Sequence, residues 1–91
     1  MSDKILVTVQ GADKIGIVAK VTETLAKFDV NIEDIKQTLM QGHFVMFMLC
    51  NIENSGYTFK EIKEGLIQIG QDMGMEIWVQ KKEIFDNMHK I

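Results

Sequence analysis

Gly11-Ala12-Asp13-Lys14-Ile15-Gly16-Ile17-Val18 stands between two runs of different period, and the change of period across it decides the fold. Before it, Ile5, Val7 and Val9 alternate with Leu6, Thr8 and Gln10, the period-two pattern of a strand with one face more buried than the other. After it, from Gly16 to Phe28, Val18, Val21, Leu25 and Phe28 recur at helical intervals with Lys20, Glu23 and Lys27 outside them. Glu23 and Lys27 form a favourable i,i+4 pair on that helix. The stretch therefore ends a strand and opens a helix. Such a loop presents backbone N–H groups that lack helical partners, together with the positive end of the helix dipole, and this suits a small anion such as a carboxylate. Gly16 removes a side chain where a ligand or a second backbone has to come close, and Asp13 is placed to cap the helix.

Working outward, Asp29-Val30-Asn31 punctuates the end of the helix, and Ile32 to Gln41 is a second strand whose apolar positions do not keep one parity. An extra residue near Glu33 or Asp34, a bulge, reconciles Ile32 with Ile35 and Leu39. Gln41-Gly42 turns the chain into a third strand, Phe44 to Ile52, which is apolar on both faces: Val45, Phe47 and Leu49 interleave with Phe44, Met46, Met48 and Cys50. Asn54-Ser55-Gly56 is a turn cluster, and Thr58-Phe59-Lys60-Glu61 has the form of a capping box. The stripe Phe59, Ile62, Leu66, Ile69 and Met73 follows as a second helix, with Gly74 suited to stop it and Gly65 to let it pack tightly. Met75, Ile77 and Val79 alternate with Glu76, Trp78 and Gln80 in a fourth strand.

The order strand, helix, strand, strand, helix, strand predicts an α+β, ferredoxin-like βαββαβ fold: a four-stranded antiparallel sheet, strands one and three central, with both helices on one face. Residues 82–91 place Ile84, Phe85, Met88 and Ile91 at near-helical spacing, which predicts a short C-terminal helix after a 4–81 core. The 91 residues read as a single domain whose small size leaves a modest folding margin that association would widen.

Composition narrows the function. The chain is 46% hydrophobic and 25% charged without a proline, as ordinary globular proteins are. Its longest apolar run, Phe44 to Cys50, is far short of the roughly 20 residues that span a bilayer, and Met1-Ser2-Asp3-Lys4 is no signal peptide, so a cytoplasmic protein without a membrane partner is expected. The net charge is -3 and all ten basic residues are scattered lysines, which argues against nucleic acid. Phe44-Val45-Met46-Phe47 does match the second half of an RNA-binding strand pattern, but Met40-Gln41-Gly42-His43 lacks the first half and Leu6 stands where strand one would need an aromatic. One cysteine, Cys50, lies inside an apolar run as a buried structural thiol, and His43 and His89 are far apart, so neither metal nor cofactor is expected. Without arginine, a carboxylate has to be held by backbone N–H groups or lysine point charges. Asp3, Asp13, Asp29, Glu33 and Asp34 take capping, turn and edge positions, and no catalytic constellation stands out, so an enzyme is not expected.

Taken together, these residues resemble the ACT domain family. The resemblance covers nearly the whole chain and rests on the glycine-marked turn from Gly11 to Val18 and on Val30-Asn31-Ile32, similar to the family's Asn-Ile start of the second strand. Asp34-Ile35-Lys36-Gln37-Thr38-Leu39, the Gln41-Gly42 turn and the Phe44 to Leu49 strand look like small stand-alone ACT proteins of unassigned role, related to glycine-cleavage repressor-type modules. Where many ACT domains carry proline before the key glycine, this chain has Ile15.

The resemblance implies a non-catalytic regulatory module that acts as a homodimer or higher homo-oligomer and holds an amino acid at the subunit interface. Ala12, Asp13, Lys14, Ile15, Gly16 and Ile17 would surround the ligand carboxylate through backbone groups, and Asn31 with Ile32 would contact it across the interface. Each also has a local role: Lys14 as a solvated charge, Ile15 and Ile17 as core, Asn31 as a turn former. The helix-free sheet face, with Leu6 and Phe47, is an apolar association surface. A purely structural interaction module, assembling with itself or an unidentified protein partner, stays open as the second expectation.

Overall fold

The computed structural model describes residues 3–12 and 15–88. Among these residues seven elements follow one another: β1 (Lys4–Ala12), α1 (Ile17–Lys27), β2 (Asn31–Met40), β3 (His43–Asn51), α2 (Phe59–Met73), β4 (Glu76–Lys81) and α3 (Lys82–Met88). The strands form one antiparallel sheet in the order β2-β3-β1-β4, so β1 and β3 are central, as the sequence predicts for a ferredoxin-like fold. Asp13 and Lys14 lie outside the described residues, as does Ile91 of the terminal stripe, while α3 supplies the short C-terminal helix.

Strand parity sorts the side chains. Ile5, Val7 and Val9 of β1, Phe44, Met46, Met48 and Cys50 of β3, and Ile77 and Val79 of β4 are buried beneath the helices, against Ile17, Val21 and Leu25 of α1 and Ile62 and Leu66 of α2. Each such side chain contributes about 1.5–3 kcal/mol on leaving water, and this burial holds the helices to one face. The opposite parity faces away from them. Leu6, Val45 and Leu49 are half-buried there, while Phe47 and Trp78 are 46% and 54% exposed.

Local signals close the elements. Thr58 and Glu61 cap α2 reciprocally: the Glu61 N–H donates to Thr58 Oγ1 at 3.1 Å and the Thr58 N–H donates to Glu61 Oε1 at 2.8 Å. At the end of α1 the Val30 N–H donates to the Leu25 carbonyl and the Asp29 N–H to that of Ala26, with Asp29 left-handed at φ 57°. The Ser55 hydroxyl takes up the Phe28 carbonyl, which ties the β3–α2 loop to the end of α1. Gln41 and Gly42, at φ 51° and 80°, make the two-residue hairpin between β2 and β3, whose twist requires positive φ at both positions.

The bulge falls where the parity break places it. Ile32 pairs with Cys50 and Asp34 with Leu49, leaving Glu33 as the extra residue. Beyond it, Ile35 and Leu39 return to the helix side opposite Met48 and Phe44, yet stay 40% and 60% exposed because no helix among the described residues packs extensively over this edge strand.

Candidate functional site

The turn between β1 and α1 is built around Gly16, which occupies the N-cap of α1 in the left-handed region (φ 85°, ψ 0°). A β-carbon there would meet nothing within 4 Å, so the space beside this backbone is open. The cap position that the sequence assigned to Asp13 is held by Gly16, and Asp13 itself lies outside the described residues. The helix starts only at Ile17, and Gly16, whose conformation an L side chain rarely adopts, makes the entering turn without any side-chain cap. The first bond of the helix runs from the Lys20 N–H to the Gly16 carbonyl at 2.9 Å, and Gly16 has no side chain with which to cap the N–H groups before it. First-turn N–H groups and the helix dipole give this end of α1 the chemistry that suits a carboxylate.

The residues around Gly16 divide sharply. Ile17 is buried in the core at 2% exposure, Ala12 is exposed at the end of β1, and the Ile15 side chain is fully exposed rather than in the core. Gly11 brings its backbone close to Met75, whose sulfur lies 2.9 Å from where a β-carbon would stand.

Asn31 and Ile32 lie at the other end of the sheet. Asn31, exposed, faces Asn51, and Asn51 also pairs with Lys4 at the beginning of β1, whereas Ala12 at the end of β1 pairs with His43. About 26 Å of extended strand separates the two ends, at ~3.3 Å per residue. One chain therefore brings Ala12, Ile15, Gly16 and Ile17 together and keeps Asn31 and Ile32 apart from them.

The bulge adds a cluster at the Asn31 end that residue spacing left unassigned. Lys4 Nζ stands 2.8 Å from Glu33 Oε1, and Asn51 Nδ2 donates to Glu33 Oε2 at 3.2 Å. These two partners hold the Glu33 carboxyl below its usual pKa. Only the parity break near Glu33 signalled that its side chain is re-aimed, because Lys4 and Asn51 are brought to it by strand pairing.

Below that cluster, burial pushes the Cys50 thiol up to about 12, with the Glu33 charge adding to the effect, so it remains protonated near neutrality. Among the described residues no group of three or more His, Cys, Asp or Glu side chains is placed to hold a metal ion. Among them, too, no helix is long and apolar enough to cross a membrane.

The profile of the ACT domain matches residues 3–80. The chain belongs to the ACT domain family. This ACT domain is 43% identical over 86 residues to a UPF0237 protein of Listeria monocytogenes, covering 94% of this chain and 97% of that protein. An ACT domain protein from Streptococcus pneumoniae superposes with a TM-score of 0.80 at 31% identity, covering 94% of this chain and 97% of the other. A candidate glycine cleavage system transcriptional repressor shares the fold at a TM-score of 0.74 and 21% identity, over 86% of this chain and 44% of that one.

Proposed function

We propose that this ACT domain is a non-catalytic regulatory module that binds an amino acid between two copies of itself. One observation carries the reading: the glycine turn and Asn31 occupy opposite ends of the same sheet, so a pocket using both needs a second chain. The free edge of β2 supplies the means. An antiparallel β2–β2 pairing turns the second copy end for end, which brings Asn31 of one copy to the end where the turn of the other lies. Centred on Gln37, that pairing also sets Ile35 of each copy opposite Leu39 of the other and covers two exposed apolar side chains on an otherwise open strand edge.

In this arrangement the first-turn N–H groups at Gly16 and Ile17 bind the ligand carboxylate, and the Asn31 side-chain oxygen accepts from its ammonium. Ala12, Asp13, Lys14, Ile15 and Ile32 line the remainder. Binding acts as a population shift: a ligand held better by one dimer geometry favours it, and a partner protein senses the difference.

A thermal-shift panel of the common amino acids tests this, since a compound that binds only the folded dimer raises the melting temperature by mass action. One of them raises it, Gly16→Asp abolishes the response by placing bulk and negative charge at the carboxylate position, and Asn31→Ala weakens it. Absence of any response at millimolar concentration sinks the amino-acid reading in favour of a purely structural interaction module.

A further inference from the structure

We propose that the helix-free face of the sheet docks against the same face of a second copy, related by a two-fold axis parallel to the strands. Strand pairing orders this face into rows. One row runs Asp34, Leu49, Leu6, Gln80; the next Lys36, Phe47, Thr8, Trp78; the third Thr38, Val45, Gln10, Glu76. A hollow of about 160 Å³, bounded by Leu6, Asp34, Ile35, Lys36, Phe47 and Leu49, lies toward its β2 side. The apolar centre is thus flanked by Lys36 with Asp34 one row away on the β2 edge, and by an anion beside an indole on the β4 edge.

Charge decides how two such faces meet. An axis along the strands lays β2 of one copy over β4 of the other and β3 over β1. Lys36 then faces Trp78 of the second copy, beside the Glu76 carboxylate that the Trp78 Nε1–H already engages at 3.3 Å, and Leu49 faces Leu6. Each Lys36 gains a ring face and an anion, twice over by symmetry. The ~30° offset of aligned sheets moves the edges by about one residue, within the reach of a lysine stem. An axis across the strands centred on the same row instead stacks Lys36 on Lys36, which like-charge repulsion opposes, and one shifted by half a row sets Lys36 against Asp34, an arrangement in which Glu76→Lys rescues nothing.

The area fits a reversible contact. Three strands of ~26 Å and the six-residue β4 of ~17 Å, at ~4.8 Å spacing, give about 450 Å² per copy, so the pair falls just under the ~1,000 Å² lower bound for specific interfaces. Single-stranded nucleic acid, the other partner an aromatic sheet face takes, is opposed by Glu33, Asp34 and Glu76 on this surface.

Trp78 is the chain's only tryptophan, and it lies on the strand opposite the β2 edge, so its emission reads this contact and is blind to β2 pairing. A dilution series of the full chain, followed by Trp78 fluorescence and sedimentation, gives an emission that moves to the blue as concentration rises, with the mass doubling at the same midpoint. Lys36→Glu raises that midpoint by about tenfold or more, and adding Glu76→Lys lowers it again. Trp78→Glu, on an exposed side chain that leaves the fold intact, keeps the low-concentration mass throughout. Emission independent of concentration overturns the proposal whether or not a β2 dimer forms, and so does a blue shift produced by single-stranded RNA alone.

Discussion

The Phe28 ring fills the space that a β-carbon on Gly65 would occupy, its nearest carbon only 2.6 Å from that position. Phe28 closes α1, packs edge-on against Tyr57 with ring centroids 4.8 Å apart, and is held in place through its own carbonyl by Ser55. The contact between the two helices is therefore as close as a glycine allows. Gly65→Ala forces the ring aside and costs about 1–3 kcal/mol, read as a lower denaturation midpoint at unchanged m value. Pairing it with Phe28→Leu returns part of that loss.

Gly16→Ala separates backbone strain from steric conflict, because the space beside it is open. At φ 85° the new β-carbon costs about 1–2 kcal/mol through the left-handed backbone alone. Urea denaturation measures this, and the amino-acid response survives with weakened affinity, in contrast to Gly16→Asp.

Ile35→Lys with Leu39→Lys tests the β2 edge. Both side chains are exposed on a single chain, so the monomer retains its circular dichroism spectrum while light scattering finds half the wild-type mass at matched concentration. Any amino-acid response disappears along with the β2-paired dimer.

Glu33 links the bulge to pH. Its carboxyl lies below the usual value in the folded chain, so the unfolded chain binds a proton first as pH falls. The stability supplied by Lys4 and Asn51 is present above the ordinary carboxylate range and disappears on acidification through the folded value. Glu33→Gln flattens the acid limb of a plot of denaturation midpoint against pH and, by removing a charge that helps raise the Cys50 thiol, also eases the alkaline limb.

Cys50 supplies the alkaline limb. The thiol titrates at about 12 in the folded chain against an ordinary 9.0, so the unfolded chain loses its proton first and stability falls as pH rises between those values. Cys50→Ala removes that decline at the expense of some packing. Iodoacetamide at mildly alkaline pH leaves native Cys50 unmodified and labels it in urea.

The bulge and the caps were legible because each is a local conflict or signature: Ile32 and Ile35 cannot share a face without an extra residue, and Thr58 with Glu61 spells its own helix start. The cap position expected at Asp13 falls on Gly16, because the entering turn depends on Gly16 being left-handed and residue type alone does not report φ. Ile15 misled for a related reason, since an apolar residue at a loop tip carries no period to say which way it points.

The order of strands and helices, the buried parity of β1 and β3 and the family itself were determined by the sequence, because period, turn chemistry and the Gly16 and Asn31 signatures are short-range properties of the chain. Tertiary structure alone decided that Lys4 meets Glu33, that Gly65 yields to Phe28, and that Gly16 and Asn31 end far apart on one sheet. These depend on strand pairing and helix docking between residues distant along the chain, which no local pattern encodes.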